Sequence, residues 1–418
     1  MKNRIACRAR VAALCLAFSA SAAFAQGSPL TLDAFLGFVA RGSPELAAAA
    51  EQRRIAEAEG RVASAYPNPE IELGAGPWRS RAGSAGGTAS AFGIHQPIEL
   101  PSVREARIGA ADAGVRAAGA QVAAARLTIG FQARLAYLDL LRRQEDERLA
   151  AENARLLSDI QGRVLKRVEV GEAPRFELVR AESEALAAQN LLAAARLRVQ
   201  EAKAAMRRLS GNRLPASFEA GDPPPAVPPL PPLERLQEEV LAAHPTLLAL
   251  GAEVERARRQ LEQERALAAP QPGLRYQETR DPEMRNATLG VTLTVPLWNR
   301  REGQVGRARA AIDLAAAQLE QQRAQLLREL DSAGARLAIA QRQVSTFEAG
   351  LLRAAETALQ VAEAAYRFGE RSFLEVLDAQ RTVRALRADY AQVRFERIAA
   401  WLDIERLRAR DPFQLENR

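Results

Sequence analysis

Cysteine is nearly absent from the chain: two occur in 418 residues, Cys7 and Cys15, and both fall within the first 25. That segment reads as an export signal. Lys2, Arg4, Arg8 and Arg10 precede a short apolar run at Val11–Phe18, and Ala23-Phe24-Ala25 forms an A-x-A cleavage site. Cleavage after Ala25 starts the mature chain at Gln26, without disulfide, reactive thiol or lipid-anchor cysteine. The signal carries four basic residues and no acid, so its removal lowers the net charge from +7 to about +3. The remaining Lys and Arg are interspersed with Glu, as on solvated helix faces, and an exported chain does not meet nucleic acid; none is expected as a partner.

Long hydrophobic runs are missing too. No stretch of about 18 apolar residues occurs in the mature chain, so a membrane position has to come through strands. Aromatics make up only 5%, while Ala, Leu, Arg, Glu and Gln dominate, the composition of long helices and coiled coils. The two histidines, His95 and His244, lie far apart, and without cysteine they form no cluster of soft-metal ligands. His95 reads as a strand residue and His244 as a helix start ahead of Pro245. No nucleophile–base pair, phosphate loop or paired catalytic carboxylates are present, so no catalysis, metal site or cofactor is expected.

Proline is absent between Pro101 and Pro174 and between Pro296 and Pro412. Each gap predicts a helix of about 70 residues, on the order of 100 Å long. The lead-in is the same both times. Helices at 31–66 and 233–269 carry an early Pro step (Ser43-Pro44, His244-Pro245) and end at Pro-x-Pro, in "YPNPE" and "APQPG". Two strand-like segments follow, then a proline (Pro97, Pro296), the long helix, a glycine turn at Gly171 or Gly369, and a returning helix of about 40 residues. At an offset of 198, Gly171, Glu172, Glu177, Leu178 and Ala181 register with Gly369, Glu370, Glu375, Val376 and Ala379. This internal duplication divides the chain into a signal at 1–25, a first repeat at 26–210, a proline-rich extended linker at 211–232, a second repeat at 233–410 and a tail at 411–418.

Strands are expected at 71–79, 88–98, 273–279 and 287–297, the third with the weakest pattern. In the last, Ala287, Leu289, Val291, Leu293, Val295 and Leu297 alternate with Thr288, Gly290, Thr292 and Thr294, as in one pass of a transmembrane β-barrel. Four strands cannot close a barrel, and an open edge in lipid costs several kcal/mol per unpaired backbone group, so several copies have to contribute to one barrel. The residues also fit a soluble sheet capping a helical bundle, as in a periplasmic scaffold or adaptor. Heptads continue through both helices at the second turn: Leu352, Ala355, Leu359, Ala362 and Tyr366, then Val376, Ala379, Val383, Leu386, Tyr390 and Val393. At the turns, glycine suits a left-handed helix C-cap. Ser372 and Glu375 read as a capping box, and Pro174 as the first residue of its helix.

The order and spacing of "YPNPEIEL", "QPIELPSVREARI", "VPLWNRREGQVGRARA", "VGEAPRFELV" and "YRFGERSFLEVLDAQ" resemble the TolC-like outer-membrane efflux proteins over essentially the whole mature chain. "VPLWNRREG" and "QPIEL" resemble the CzcC-like heavy-metal branch, from which the chain departs at Pro101–Arg104, where such proteins often carry Gly-Gly-Lys-Arg. The resemblance implies a mainly α fold with a small transmembrane β part: a homotrimer with a twelve-stranded barrel in outer-membrane lipid, four strands per protomer, continued by a long periplasmic α-helical coiled-coil barrel. It implies an exit duct working with a periplasmic adaptor protein and an RND-type inner-membrane pump. The implied cargo is heavy-metal cations such as cobalt, zinc or cadmium, with drugs and small organics as the alternative.

It further implies that Gly171, Glu172, Gly369 and Glu370 form adaptor-docking tips. By position, Tyr366, Arg371, Glu375 and Asp378 match gate and constriction residues, with Glu177 as acidic partner of Tyr366 and Arg371. Asp378 has Arg180 as its counterpart in the first copy.

Overall fold

A computed structural model describes residues 29–414 apart from 82, 84, 85 and 369. The expected export signal and its cleavage site lie outside the described residues, as do Gly369 and the end of the tail.

The elements follow the chain as α1 (Leu32–Gly42), α2 (Pro44–Ser64), β1 (Glu70–Arg79), β2 (Gly86–Pro97), α3 (Pro101–Glu169), α4 (Arg175–Leu209), α5 (Leu233–Ala243), α6 (Pro245–Ala266), β3 (Gln271–Arg280), β4 (Arg285–Thr294), α7 (Glu302–Thr346), a π-helical turn (Phe347–Leu351), α8 (Leu352–Arg367) and α9 (Phe373–Leu407). No described helix is long and apolar enough to cross a membrane. The chain divides into two compact units, one from 48–125 with 237–327, the other from the described parts of 1–47, 126–236 and 328–418.

The first of these units holds the sheet, four antiparallel strands in the order β1-β2-β3-β4. Its register is continuous: Leu73 faces Phe92, Phe92 faces Glu278, and Glu278 faces Ala287. Directly opposed residues share a face, and side chains alternate along a strand. One face therefore carries Ile71, Leu73, Phe92, Ile94, Leu274, Leu289, Val291 and Leu293, the other Glu70, Glu72, His95, Arg275, Gln277, Thr288 and Thr292. The apolar face is uncovered: Leu73 is 80% and Leu289 78% exposed. β3, the segment with the weakest sequence pattern, runs a full ten residues because both neighbours pair with it.

Arginines tie the helix before each strand pair to the helix after it. Arg104 donates to the Ser64 carbonyl at 2.8 Å and covers the Tyr66 ring at 4.4 Å, while Arg107 donates to the Ala63 carbonyl at 2.8 Å. Arg301 pairs with Glu264 at 2.6 Å in the second strand pair.

The other unit has two apolar clusters. One packs Phe35, Val39, Tyr137, Leu140 and Met206 with Leu214 and Phe218. The stretch 211–232 is therefore not wholly a free extended spacer: Leu214 and Phe218 are buried, and Ala220 bridges Leu30 in parallel. The Tyr137 hydroxyl lies 2.8 Å from the Leu30 carbonyl and 3.1 Å from the Asp222 carboxylate, and accepts from the Asp222 N–H at 3.2 Å. Burial pushes its pKa up to about 12. The second cluster, Leu157, Ile160, Val164, Ala181, Ala185, Phe373 and Leu377, fills the space behind the two glycine turns with alanine-rich seams.

The second proline-free gap is not one helix. Between α7 and α8 the chain makes a π-helical turn in which Gly350 adopts φ 129° and ψ 4°. Ser345 and Thr346 both donate their hydroxyls to the Arg342 carbonyl, at 2.7 and 3.0 Å. Such back-bonding competes with the helical ladder and bends it, and glycine is the residue that tolerates the result.

Candidate functional site

The two turns lie in the unit just described, behind the second apolar cluster. At the first, α3 ends at Glu169 and Gly171 turns left-handed at φ 80°. Its N–H donates to Val168 at 3.1 Å, and that of Glu172 to Arg167 at 2.8 Å. These are the two bonds of a Schellman cap, so Gly171 is required by its backbone. Pro174, expected as the first helical residue, stands one place earlier as the N-cap, because its ψ of 145° is extended.

At the second turn the Glu370 N–H donates to Ala365 at 2.9 Å, spanning the same number of residues. Ser372 is the N-cap, as expected, but no capping box forms. Its hydroxyl makes no capping bond, and the Glu375 carboxylate is taken by the Arg371 guanidinium four residues before it.

The expected gate residues separate into two groups and a bystander. The Tyr366 hydroxyl donates to Glu177 Oε2 at 3.3 Å, joining α8 to α4 across 189 positions of sequence. Burial and the nearby Glu177 carboxylate both raise the Tyr366 pKa. Arg371, expected to share Glu177, pairs with Glu375 inside its own turn. The physical reason is reach: a neighbour four residues away in the same turn needs no long-range docking. Asp378 is exposed, and of its groups the backbone carbonyl is engaged, accepting from the Thr382 hydroxyl at 3.0 Å. Of the expected docking tips, Gly171, Glu172 and Glu370 are exposed.

Two residues at the site were not singled out from sequence. Arg167 lies over the Tyr366 ring at 5.1 Å and 3.9 Å from the Glu172 carboxylate, supplying the cation expected of Arg371. Its signal was its place in the last turn of α3, where a cation suits the carbonyl end. Phe373, 2% exposed, meets the Tyr366 ring at 5.6 Å. In the first copy its place is taken by Arg175, a mismatch visible in the alignment of the two turns. Tyr366, Phe373, Arg167, Arg163 and Glu172 line a cleft of about 450 Å³. Farther along, Arg381 pairs with Glu184 and Gln380 bonds Asn153 at 3.4 Å. Together these hydrogen bonds and ring contacts join the helices on either side of the two turns. Among the described residues no three His, Cys, Asp or Glu converge as metal ligands.

A statistical description of the family "Outer membrane efflux protein" matches residues 39–212 and 236–409. The cobalt-zinc-cadmium resistance protein CzcC of Cupriavidus metallidurans is 31% identical over 384 residues, 91% of this chain and 90% of that one. Among solved structures, one of CusC, described in terms of folding and transmembrane channel formation, superposes with a TM-score of 0.79 at 16% identity over 90% of this chain and 91% of its own. The outer membrane protein VceC of Vibrio cholerae does so with a TM-score of 0.76 at 20% identity, over 90% and 96%. The uncovered apolar face of the strands, the long helices and these likenesses together lead to one identification: the chain belongs to the outer membrane efflux protein family and is an exit duct of the outer membrane with a periplasmic helical extension.

Proposed function

We propose that three copies assemble so that their four-stranded sheets close one twelve-stranded barrel, and that the trimer passively exports heavy-metal cations delivered by an inner-membrane pump through a periplasmic adaptor. The observation that carries the assembly is the sheet itself. It has ten- to twelve-residue strands, one uncovered apolar face and two unpaired edges, β1 and β4, and open edges are not tolerated in lipid. The cargo reading draws on CzcC, a cobalt-zinc-cadmium resistance protein by name, which is similar over nine-tenths of its length. The protomer is read as two copies of one unit, 26–210 and 233–410, joined through 211–232.

The turns are read as the periplasmic gate. Tyr366, Glu177 and Arg167 latch one hairpin to the other, and adaptor binding shifts the population toward an open state. Arg371 with Glu375, and Asp378 beside them, face the constriction, while Gly171, Glu172, Gly369 and Glu370 meet the adaptor. No catalytic step is assigned; energy comes from the pump.

The test is deletion of the protein followed by growth on graded zinc, cobalt and cadmium and on a drug panel, with the purified protein in planar bilayers. Loss of metal tolerance together with a heat-modifiable trimer that conducts supports the reading. Drug sensitivity alone would move the cargo to small organics, and a protein that neither trimerises nor conducts would replace the duct by a periplasmic scaffold.

A further inference from the structure

Toward the two hairpin turns, the apolar face of the sheet changes character. Following the register, the residues on that face run Ile71, Leu73, Ala75, Pro77, Arg79 along β1 and Leu293, Val291, Leu289, Ala287, Arg285 along β4. On β3 the same face ends in Arg280, opposite both Ser90 and Arg285. Arg81 adds a fourth guanidinium in the β1–β2 turn. The two hairpin ends touch, since a Cβ on Gly87 would come within 2.5 Å of Pro282 in the β3–β4 turn.

The acids here offset the row only in part: Glu278, Asp281 and Glu283 are three carboxylates against four guanidiniums. Glu278 is the sole carboxylate on this face of the four strands, and it is occupied by Arg285 at 2.7 Å and Tyr276 at 3.1 Å. Asp281 accepts from the N–H groups of Glu283 and Met284, both at 2.8 Å, and so closes its own turn; Glu283 is exposed there. Arg79 and Arg81 are exposed and have no hydrogen-bond or ion-pair partner among the described residues, and Arg280, also exposed, acts on Glu278 through its charge without a hydrogen bond to it. On the opposite, polar face the single arginine, Arg275, is paired with Glu72 at 3.1 Å. The surplus of cations thus borders the lipid-facing band and not the lumen.

We propose that Arg79, Arg280 and Arg285, with Arg81, form a headgroup-binding rim that holds phosphate-bearing lipids in the outer leaflet around the duct. An apolar band against acyl chains with guanidinium groups at its border matches the two parts of such a lipid. Arginine suits the headgroup because its planar fork binds phosphate oxygens in pairs. The hairpins end the strands away from the helices, which extend into the periplasm, so this border faces the outer leaflet. The rim requires only the outer-membrane position of the sheet and is independent of cargo and gate.

The test uses the purified full-length protein in phosphatidylcholine bilayers carrying either diphosphorylated lipid A or its dephosphorylated form, with retained lipid counted by native mass spectrometry. Wild type is expected to retain the diphosphorylated lipid about tenfold better, and Arg79→Gln/Arg280→Gln, which spares the Arg285–Glu278 pair, to lose that preference. Arg79→Lys/Arg280→Lys keeps the charge and is expected to fall between the two, and single-channel conductance of both variants should match wild type. Equal retention of the two lipids by wild type overturns the rim without needing any variant, as does an unchanged preference in the glutamine variant. Complete displacement of the lipid by millimolar inorganic phosphate would assign the arginines to a soluble anion and also overturn it.

Discussion

The two long helical stretches lead to similar turns by different routes. α3 runs 69 residues without interruption, whereas the second stretch is 45 residues of α7, a five-residue π-helical turn and then α8. Neither has a proline beyond its first residue, so proline is not what separates them. Glycine alone does not either: α3 contains Gly130, packed so tightly under Pro412 that a Cβ would lie 2.2 Å from the ring, and it stays helical. A Cβ on Gly350 would meet nothing within 4 Å, but the same holds at Gly119 and Gly162, which stay helical within α3; what Gly350 adds is two hydroxyls just before it bonded to the Arg342 carbonyl. A helix bends where competitors of its own hydrogen-bond ladder meet a glycine that tolerates the resulting backbone.

The turns themselves differ in the same sense. The second is anchored by Phe373 inside the apolar cluster, while in the first the comparable aromatic, Phe176, is 63% exposed. Truncating Phe373 to Ala should cost about 3–5 kcal/mol and be felt at the second hairpin, whereas Phe176→Ala should stay within about 0.5 kcal/mol. Urea unfolding with hydrogen exchange resolved to each hairpin measures both, and equal costs would abolish the asymmetry.

The π-helical turn offers a gentler comparison. Ser345→Ala combined with Gly350→Ala removes one competing hydroxyl and supplies a good helix former, and should stabilise regular helix there by about 1 kcal/mol. Slower amide exchange at 347–351 is the expected readout. Exchange unchanged from wild type would show that the bend is held from elsewhere, for instance by Phe347 against Tyr390, whose rings lie 5.2 Å apart.

A comparable effect is expected where Tyr366 joins the hairpins through Glu177. Burial and Glu177 hold the Tyr366 phenol above its ordinary value of 10.0, so the folded state favours the neutral hydroxyl. That contribution is complete below pH 10.0 and fades as the pH rises through the higher folded value. Tyr366→Phe should lose about 1 kcal/mol at neutral pH and remove the alkaline fade. Single-channel recordings of the variant should show a leakier closed state; a closed state and an alkaline profile both identical to wild type would take Tyr366 out of the latch.

Local rules made much of the architecture readable in advance. Proline spacing marked where helices run, alternation at 287–297 marked a strand with two unlike faces, and the glycine at 171 marked a left-handed cap. Each depends on a window of a few residues, so the backbone decides it. The site was less legible because its partners are chosen at long range. Tyr366 with Glu177 came from likeness to a family, while Arg167 and Phe373 carried only weak linear signals and took partners that a linear pattern does not name.

The tail shows the division most plainly. Nothing in the order Asp411-Pro412-Phe413 announces a partner, yet the folded chain seats Phe413 under Arg126 at 4.7 Å and brings the Pro412 carbonyl to 2.6 Å from Arg134 Nε. Burial lowers the pKa of that arginine to about 10. Sequence by itself determined helix, strand, turn and the two unlike faces of the sheet, because those follow from periodicity and backbone freedom. Tertiary structure decided which partners Tyr366 and Arg134 take and where the linker and tail dock, because those depend on desolvation and on neighbours far away in sequence.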